Sequence, residues 1–225
     1  MKLVHPDIDF CLDLSHKESV VAVCAIESPI RWREIQKELF LQQQGEEGQW
    51  VLSKENKELK LSKAVEMISN PLQLDENQRR ITSAFLKSFA EKAVNEMYWR
   101  KGQELNMAIQ TFFCDMENEY SFGYHINPEI DFQALAKAMG FQIEAEYETD
   151  LERLLQYCIL AKEVLHIQVF IFWNLRDYFS DKEISLFYDE IMNRDWNVLL
   201  MERHEHTKID GEKWYVIDKD NCEIY

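Results

Sequence analysis

With 225 residues, 46% of them hydrophobic and 12% aromatic, the chain has the apolar content for a sizeable core, which excludes disorder over most of its length. Its formal net charge of −16, from 41 acidic against 25 basic residues, argues against a general nucleic-acid binder unless the basic side chains are gathered on one surface. No apolar run reaches transmembrane length, and the first residues have neither a basic start nor a hydrophobic signal core, so neither a membrane span nor a secretion signal is expected.

Met1 to Leu14 alternates loosely (Leu3, Ile8, Phe10, Leu12, Leu14) and reads as an edge hairpin. Val20 to Ile26 is a buried-strand candidate, followed by Ser28 as an N-cap with Pro29 in the first helical turn. Trp32, Ile35, Leu39 and Phe40 mark a helix that stops near Gly45. A nucleotide-binding α/β protein places its glycine-rich phosphate loop at this strand-to-helix turn, but only 6 glycines occur in the chain and none lies in GxxxxGK[ST] or GxGxxG. No nucleotide cofactor is expected.

Gln49 to Leu61 reads as one or two strands, and Asn70-Pro71 as a boundary. From Asp75-Glu76-Asn77-Gln78, which has the form of a capping box, helical spacing runs through Ile81, Phe85, Phe89, Val94 and Met97, then Met107, Ile109, Phe112 and Phe113. This predicts one very long helix, or two with a break near Gly102, projecting as a stalk. Pro128 opens a short helix (Ile130, Leu135, Met139) closed by Gly140, and Phe141 to Ala145 reads as a strand.

Thr149 to Glu152 caps a helix with Leu154, Leu155, Cys158 and Ala161 inward, which delivers the chain to Leu165–Trp173, an apolar run suited to a strand buried on both faces. Ser180 and Glu183 form a second capping box, followed by Ile184, Phe187, Tyr188 and Ile191 at helical spacing and by a buried strand over Asn197–Met201. Strand, helix and strand make a parallel crossover, so a three-layer α/β core is expected, with a last strand at Lys213–Ile217. Cys11, Cys24, Cys114, Cys158 and Cys222 form no CxxC pair, which fits free thiols in a reducing cytoplasm.

Lys54, Lys57, Lys60 and Lys63 are opposed locally only by Glu55 and Glu58. They read either as contacts to a DNA backbone or as a solvated edge that discourages sheet-to-sheet pairing. Arg79, Arg80 and Lys87 on the long helix, and Lys182, are the next basic candidates. Glu117 and Glu119 read either as metal ligands or as ordinary helix-end acids, and His204 and His206 have strand spacing for zinc without a third ligand nearby. Pro6-Asp7 with Glu58-Leu59-Lys60 spells a PD…ExK nuclease pattern, which arises easily by chance in a Glu- and Lys-rich chain; Glu55-Asn56-Lys57 matches equally.

Several stretches together carry a family resemblance. They are Val169–Asn174, Phe179–Ile184, Tyr188–Ile191, Asn197–Glu202, Ala134–Glu144 and the acidic Met116–Tyr120. In this order the chain resembles the short CRISPR-associated adaptation proteins of type II-A loci, the ring-forming Csn family. The resemblance implies an α/β, three-layer, degenerate ATPase-like head with a mostly parallel sheet (residues 1–72 and 141–225) and an inserted long-helix leg (residues 73–140). It implies a homotetrameric ring whose lysine-lined hole holds double-stranded DNA ends, without catalysis, in CRISPR spacer acquisition. Spacer-integration proteins and the effector nuclease of the same locus would be its partners. Calcium on acidic residues would order the ring. Here Ser121, Gly123 and His125 interrupt the family's run of carboxylates, leaving Glu117, Glu119, Glu129 and Asp131, so fewer or weaker ions are expected. A PD…ExK nuclease and a structural adaptor without DNA binding are the alternatives.

Overall fold

The structure is a computed structural model that describes every residue except 16–20 and 145. The chain divides into two compact units, Met1–Asp75 with Ala145–Tyr225, and Glu76–Glu144.

In the first unit, β1 (Lys2–Val4) and β2 (Leu12–Asp13) pair antiparallel as the expected hairpin. β3 (Val21–Ile26) is buried along its whole length; the expected first residue of this strand, Val20, lies outside the described residues. Ser28 then caps α1 (Pro29–Gln43), accepting from Arg31 N, and α1 buries Trp32, Ile35 and Leu39. The helix ends before Gly45, whose φ of +99° suits a residue without Cβ. β4 (Val51–Lys54) and β5 (Lys57–Leu59) form a hairpin around Glu55 and Asn56, both at positive φ. β4 also pairs with β1, giving a small antiparallel sheet in the order β2-β1-β4-β5. The short α2 (Leu61–Ala64) leads directly into β6 (Val65–Ile68).

The second unit is helical. Its α3 (Arg79–Ala93) and α4 (Trp99–Glu117) are separated at Val94–Tyr98, so the break lies ahead of Gly102, which sits inside α4. Asn95 accounts for the turn: its carbonyl accepts from Tyr98 and Trp99 N, and its side chain accepts from Met97 and Tyr98 N. The helix begins later than expected from Asp75: Gln78 is the N-cap of α3 and its side chain makes no capping bond to the helix. Asn77 is instead bonded through both ends of its amide to the backbone of Ile143 (3.1 and 3.0 Å). That amide stands in for a neighbouring strand, and residues 141–144 are an irregular segment where a strand was expected; Ala145 lies outside the described residues. The short helix α5 (Phe132–Ala138) is capped by Asp131 and does not begin at Pro128.

The chain returns through α6 (Asp150–Leu165), whose capping box of Thr149 and Glu152 is present. α6 runs further than the sequence suggested. Leu165 is its last residue and His166 closes it in the left-handed conformation, so the apolar run becomes strand only at β7 (Val169–Trp173). A 3-10 turn (Leu175–Asp177), then α7 (Asp181–Asn193) with its own capping box, lead to β8 (Asn197–Glu202), β9 (Glu212–Ile217) and β10 (Glu223–Ile224). The main sheet has the order β10-β9-β3-β8-β7-β6, and every pairing in it is parallel except that of β10.

Alternate residues of β7 serve opposite faces. Val169, Ile171 and Trp173 join the core formed with Leu39 of α1 and Leu3, Leu12 and Leu52 of the small sheet. Trp173 lies edge-on to Trp32 at 5.1 Å and stacks on Phe40 at 5.9 Å. On the opposite face Phe172 meets Phe187 of α7 at 5.2 Å, and Tyr157 of α6 donates to Glu66 of β6 at 2.8 Å. The first unit is therefore three layers: the small sheet with α1, the parallel sheet, and α6 with α7. Each fully buried aromatic or branched aliphatic side chain in these faces contributes about 1.5–3 kcal/mol of transfer free energy.

Candidate nucleic-acid interface

The β4–β5 hairpin ends in two consecutive left-handed residues, Glu55 at φ 51° and Asn56 at φ 62°, as a two-residue primed turn demands. The residues flanking that turn are Lys54 and Lys57, paired across the two strands. Lys60 follows at the N-terminus of α2 and Lys63 lies in its last turn. All four lysines are exposed, and none has a carboxylate within ion-pair distance among the described residues.

Backbone bonds fix where this group sits. Ala64 O at the end of α2 accepts from Gln168 N, and Gln168 O accepts from Asn197 Nδ2. The hairpin and α2 therefore stand at the end of the parallel sheet where β6, β7 and β8 begin. A fifth lysine joins them there. Lys162 on α6 is half-buried; burial pushes its pKa down, Asp195 pushes it up, and nearby Lys54 pushes it down. Nothing in the sequence signalled Lys162, because it lies far along the chain between the inward residues Ala161 and Val164. The edge gathers five lysines against Glu55, Glu58 and Asp195.

Lys182 is in the first turn of α7, at the opposite end of the sheet. Arg79 and Arg80 open α3 in the second unit, where Arg79 borders a cleft of about 560 Å³ with Lys137 and Asp131, and Lys87 is 3.9 Å from Glu91.

The carboxyl end of the sheet is a different environment. Beside the cap of α1, a cavity of about 360 Å³ is lined by Asp7, Glu34 and Glu223 together with Arg31. Asp7 borders this cavity and Glu58 and Lys60 do not, so the PD…ExK residues are not drawn around it. Further along, Arg176 is buried and bridges Asp181 (2.7 Å) and Glu212 (3.1 Å), and Tyr188 donates to Glu212 at 2.7 Å. Glu202, at the end of β8, is fully buried. Its Oε1 accepts from Arg176 N, while Oε2 has no hydrogen bond and lies 3.5 Å from His206 Nε2. Burial pushes the Glu202 carboxyl up to about 8. Burial, then Arg176, holds His206 below the ordinary imidazole range. His204 and His206 lie beyond the end of β8, and so lack the strand spacing read from the sequence.

The four acidic candidates for calcium lie in and between α4 and α5. Glu117 ends α4, and the Asp131 carboxylate accepts from Ala134 N as the cap of α5. Among the described residues no group of three or more His, Cys, Asp or Glu side chains is placed to hold a metal ion. Calcium takes six to eight oxygen ligands, from backbone carbonyls and water as well as from carboxylates such as Glu117, Glu119, Glu129 and Asp131. No described helix is long and apolar enough to cross a membrane.

Comparison with protein families matches residues 42–221 to the family described as CRISPR-associated protein (Cas_Csn2). A search of curated proteins finds no match.

Proposed function

The chain belongs to the CRISPR-associated Csn2 family, which implies a role in CRISPR adaptation, and we propose that it performs that role as a non-catalytic binder of double-stranded DNA ends. The observation that carries this reading is the edge group of Lys54, Lys57, Lys60, Lys63 and Lys162, exposed or half-buried on a chain of net charge −16. Phosphate contacts need such gathered cations and no sequence-specific side chains. One subunit offers a modest patch. A homotetrameric ring would repeat it four times and turn it into a collar around a duplex. The apolar residues that α4 leaves exposed (Leu105, Met107, Phe112) favour self-association, because the packing of the helix within the chain leaves them in solvent.

In this reading the parallel sheet is a degenerate ATPase-like head: the turn after β3, where a phosphate loop would lie, is Ile26-Glu27-Ser28-Pro29. The protein would work in the cytoplasm with the spacer-integration proteins and the effector nuclease of its locus. Calcium would be held at Glu117, Glu119, Glu129 and Asp131, with carbonyl and water oxygens completing its ligands.

A mobility-shift titration of duplex DNA, followed by denaturing electrophoresis of the same samples with magnesium or manganese, tests the proposal. Sequence-independent, salt-sensitive binding of intact DNA is the expected outcome. Metal-dependent cutting lost in Asp7→Ala would replace it with the nuclease reading. No binding at low salt, with or without calcium, would replace it with a structural adaptor.

A further inference from the structure

The cleft of about 560 Å³ between α3 and α5 lies wholly in the helical unit, and its size is that of a small-molecule site. Arg79 lines it from the first residue of α3 and Lys137 from the last turn of α5. Both side chains are exposed, and among the described residues neither has an ion pair. On a chain with 41 acidic and 25 basic residues, two unpaired cations sharing one cleft are out of character. The start of α3 reinforces them, because Gln78 makes no capping bond and the positive end of the helix has no side-chain acceptor.

Asp131 is the one acid of the lining, and its carboxylate already accepts from Ala134 N at 3.0 Å. It caps the start of α5, about 9 Å along the helix from Lys137. The cleft therefore has a cationic end and an accepting end. Between them Ser83 and Gln133 offer a hydroxyl and an amide, and Phe141 offers a ring. That ring packs on Phe89 at 5.1 Å and is still 39% exposed.

We infer that this cleft binds a nucleoside monophosphate, with the phosphate between Arg79 and Lys137 and the base against Phe141. A guanidinium fork and an ammonium together balance a phosphate dianion, where a carboxylate would need only one of them. Asp131 accepts from an exocyclic amine of the base. The phosphate comes either from a free mononucleotide or from the 5′ terminus of a DNA strand, and its chemistry is the same in both. The inference does not rest on the lysine edge, which belongs to the other unit.

Calorimetric titration of the full-length chain with dAMP, deoxyadenosine and inorganic phosphate tests the site, with EDTA present so that no metal ion bridges ligand and Asp131. The parent should bind dAMP more tightly than either of the others. Arg79→Gln and Lys137→Gln should each weaken dAMP about tenfold, and Arg79→Lys should weaken it less. Phe141→Leu should weaken dAMP and leave inorganic phosphate unchanged, whereas Lys54→Gln with Lys57→Gln should leave dAMP binding as it is. The substituted side chains are exposed, so circular dichroism of every variant should match the parent. Duplexes with and without 5′-phosphates identify the source. A preference for the phosphate that is lost in the Arg79→Gln, Lys137→Gln double variant assigns the cleft to DNA ends, and a parent indifferent to it assigns the cleft to free mononucleotides. Deoxyadenosine bound as tightly as dAMP, no dAMP binding at millimolar concentration, or equal binding by the Arg79 and Lys137 variants overturns the inference and leaves the duplex proposal standing.

Discussion

Lys54 and Lys57 face each other across the last rung of the β4–β5 hairpin, two like charges in register with only Glu55 and Asn56 between them. Opposed like charges in an antiparallel pair destabilise it by about 0.2–1 kcal/mol. The fold gains nothing from this arrangement, whereas a phosphate backbone would meet two ammonium groups carried by one rung of the hairpin. The double substitution Lys54→Gln, Lys57→Gln should therefore move stability and binding in opposite directions. Thermal denaturation should show an unchanged or slightly raised Tm. Duplex affinity should fall, and the slope of log K against log salt should shrink by about 0.9 for each phosphate no longer neutralised. A parallel fall in Tm and affinity would mean that the lysines hold the hairpin and that the DNA surface lies elsewhere, with Lys182, Arg79, Arg80 and Lys87 the next to test.

Glu55 makes a second, independent test of the same tip. Its φ of 51° belongs to the left-handed region, where Asn is tolerated far better than Glu. Glu55→Asn should stabilise the hairpin while removing one of the three acids beside the lysines. Tm and duplex affinity should both rise. A variant that is more stable but binds no better would separate the turn from the interface.

Most of the three-layer unit was legible because its signals are local. Ser28-Pro29, Thr149 with Glu152, and Ser180 with Glu183 mark three helix starts that the structure contains, and Val169–Trp173 alternates between two apolar layers. The misread places are those where a distant partner decides. Phe141 to Glu144 has strand composition, but its bonding partner is the Asn77 amide and not another strand. Leu165 has the character of the strand that follows, yet α6 keeps it and His166 makes the break. The break between α3 and α4 follows the Asn95 turn, and Gly102 sits inside α4 where the helix meets the Phe132 ring. Of the basic edge, four lysines were visible as a run, while Lys162 reaches it only through the packing of α6.

Glu202 predicts how stability responds to pH. Its folded carboxyl titrates near 8 against an ordinary value of 4.5, because it is buried with one oxygen unbonded. Between those two values the folded state holds a proton that the unfolded chain has released. Stability from this group is therefore fully present below about pH 4.5 and is lost as pH rises toward 8, by an amount on the order of a few kcal/mol. Glu202→Gln keeps an acceptor for Arg176 N and never ionises. At pH 9 it should melt several degrees above the parent, and near pH 5 the two should converge. Equal melting at pH 9 would mean that Glu202 is hydrated and ionised in the folded protein.

The topology of bound DNA separates a ring from a surface. Five lysines at the start of the parallel sheet face Glu55, Glu58 and Asp195, so a single subunit has only a small local excess of positive charge on a strongly acidic body. At physiological salt the field of such an excess is screened within about 8 Å, and one patch alone should hold duplex DNA weakly. Four patches turned toward one hole act on the same duplex, and their attractions add without any new kind of interaction. A closed collar also constrains how DNA enters. Linear duplex threads from an end, whereas a covalently closed circle of the same sequence has no end to offer. Titration of both forms at two salt concentrations, with and without calcium, should give tight binding of the linear form and much weaker binding of the circle. Cutting the circle once should restore affinity, and blocking both ends of the linear form with bulky protein caps should abolish it. Equal affinity for circle and line would show that the lysine edge binds DNA from the outside, and the collar would have to be abandoned even if the chain is a tetramer.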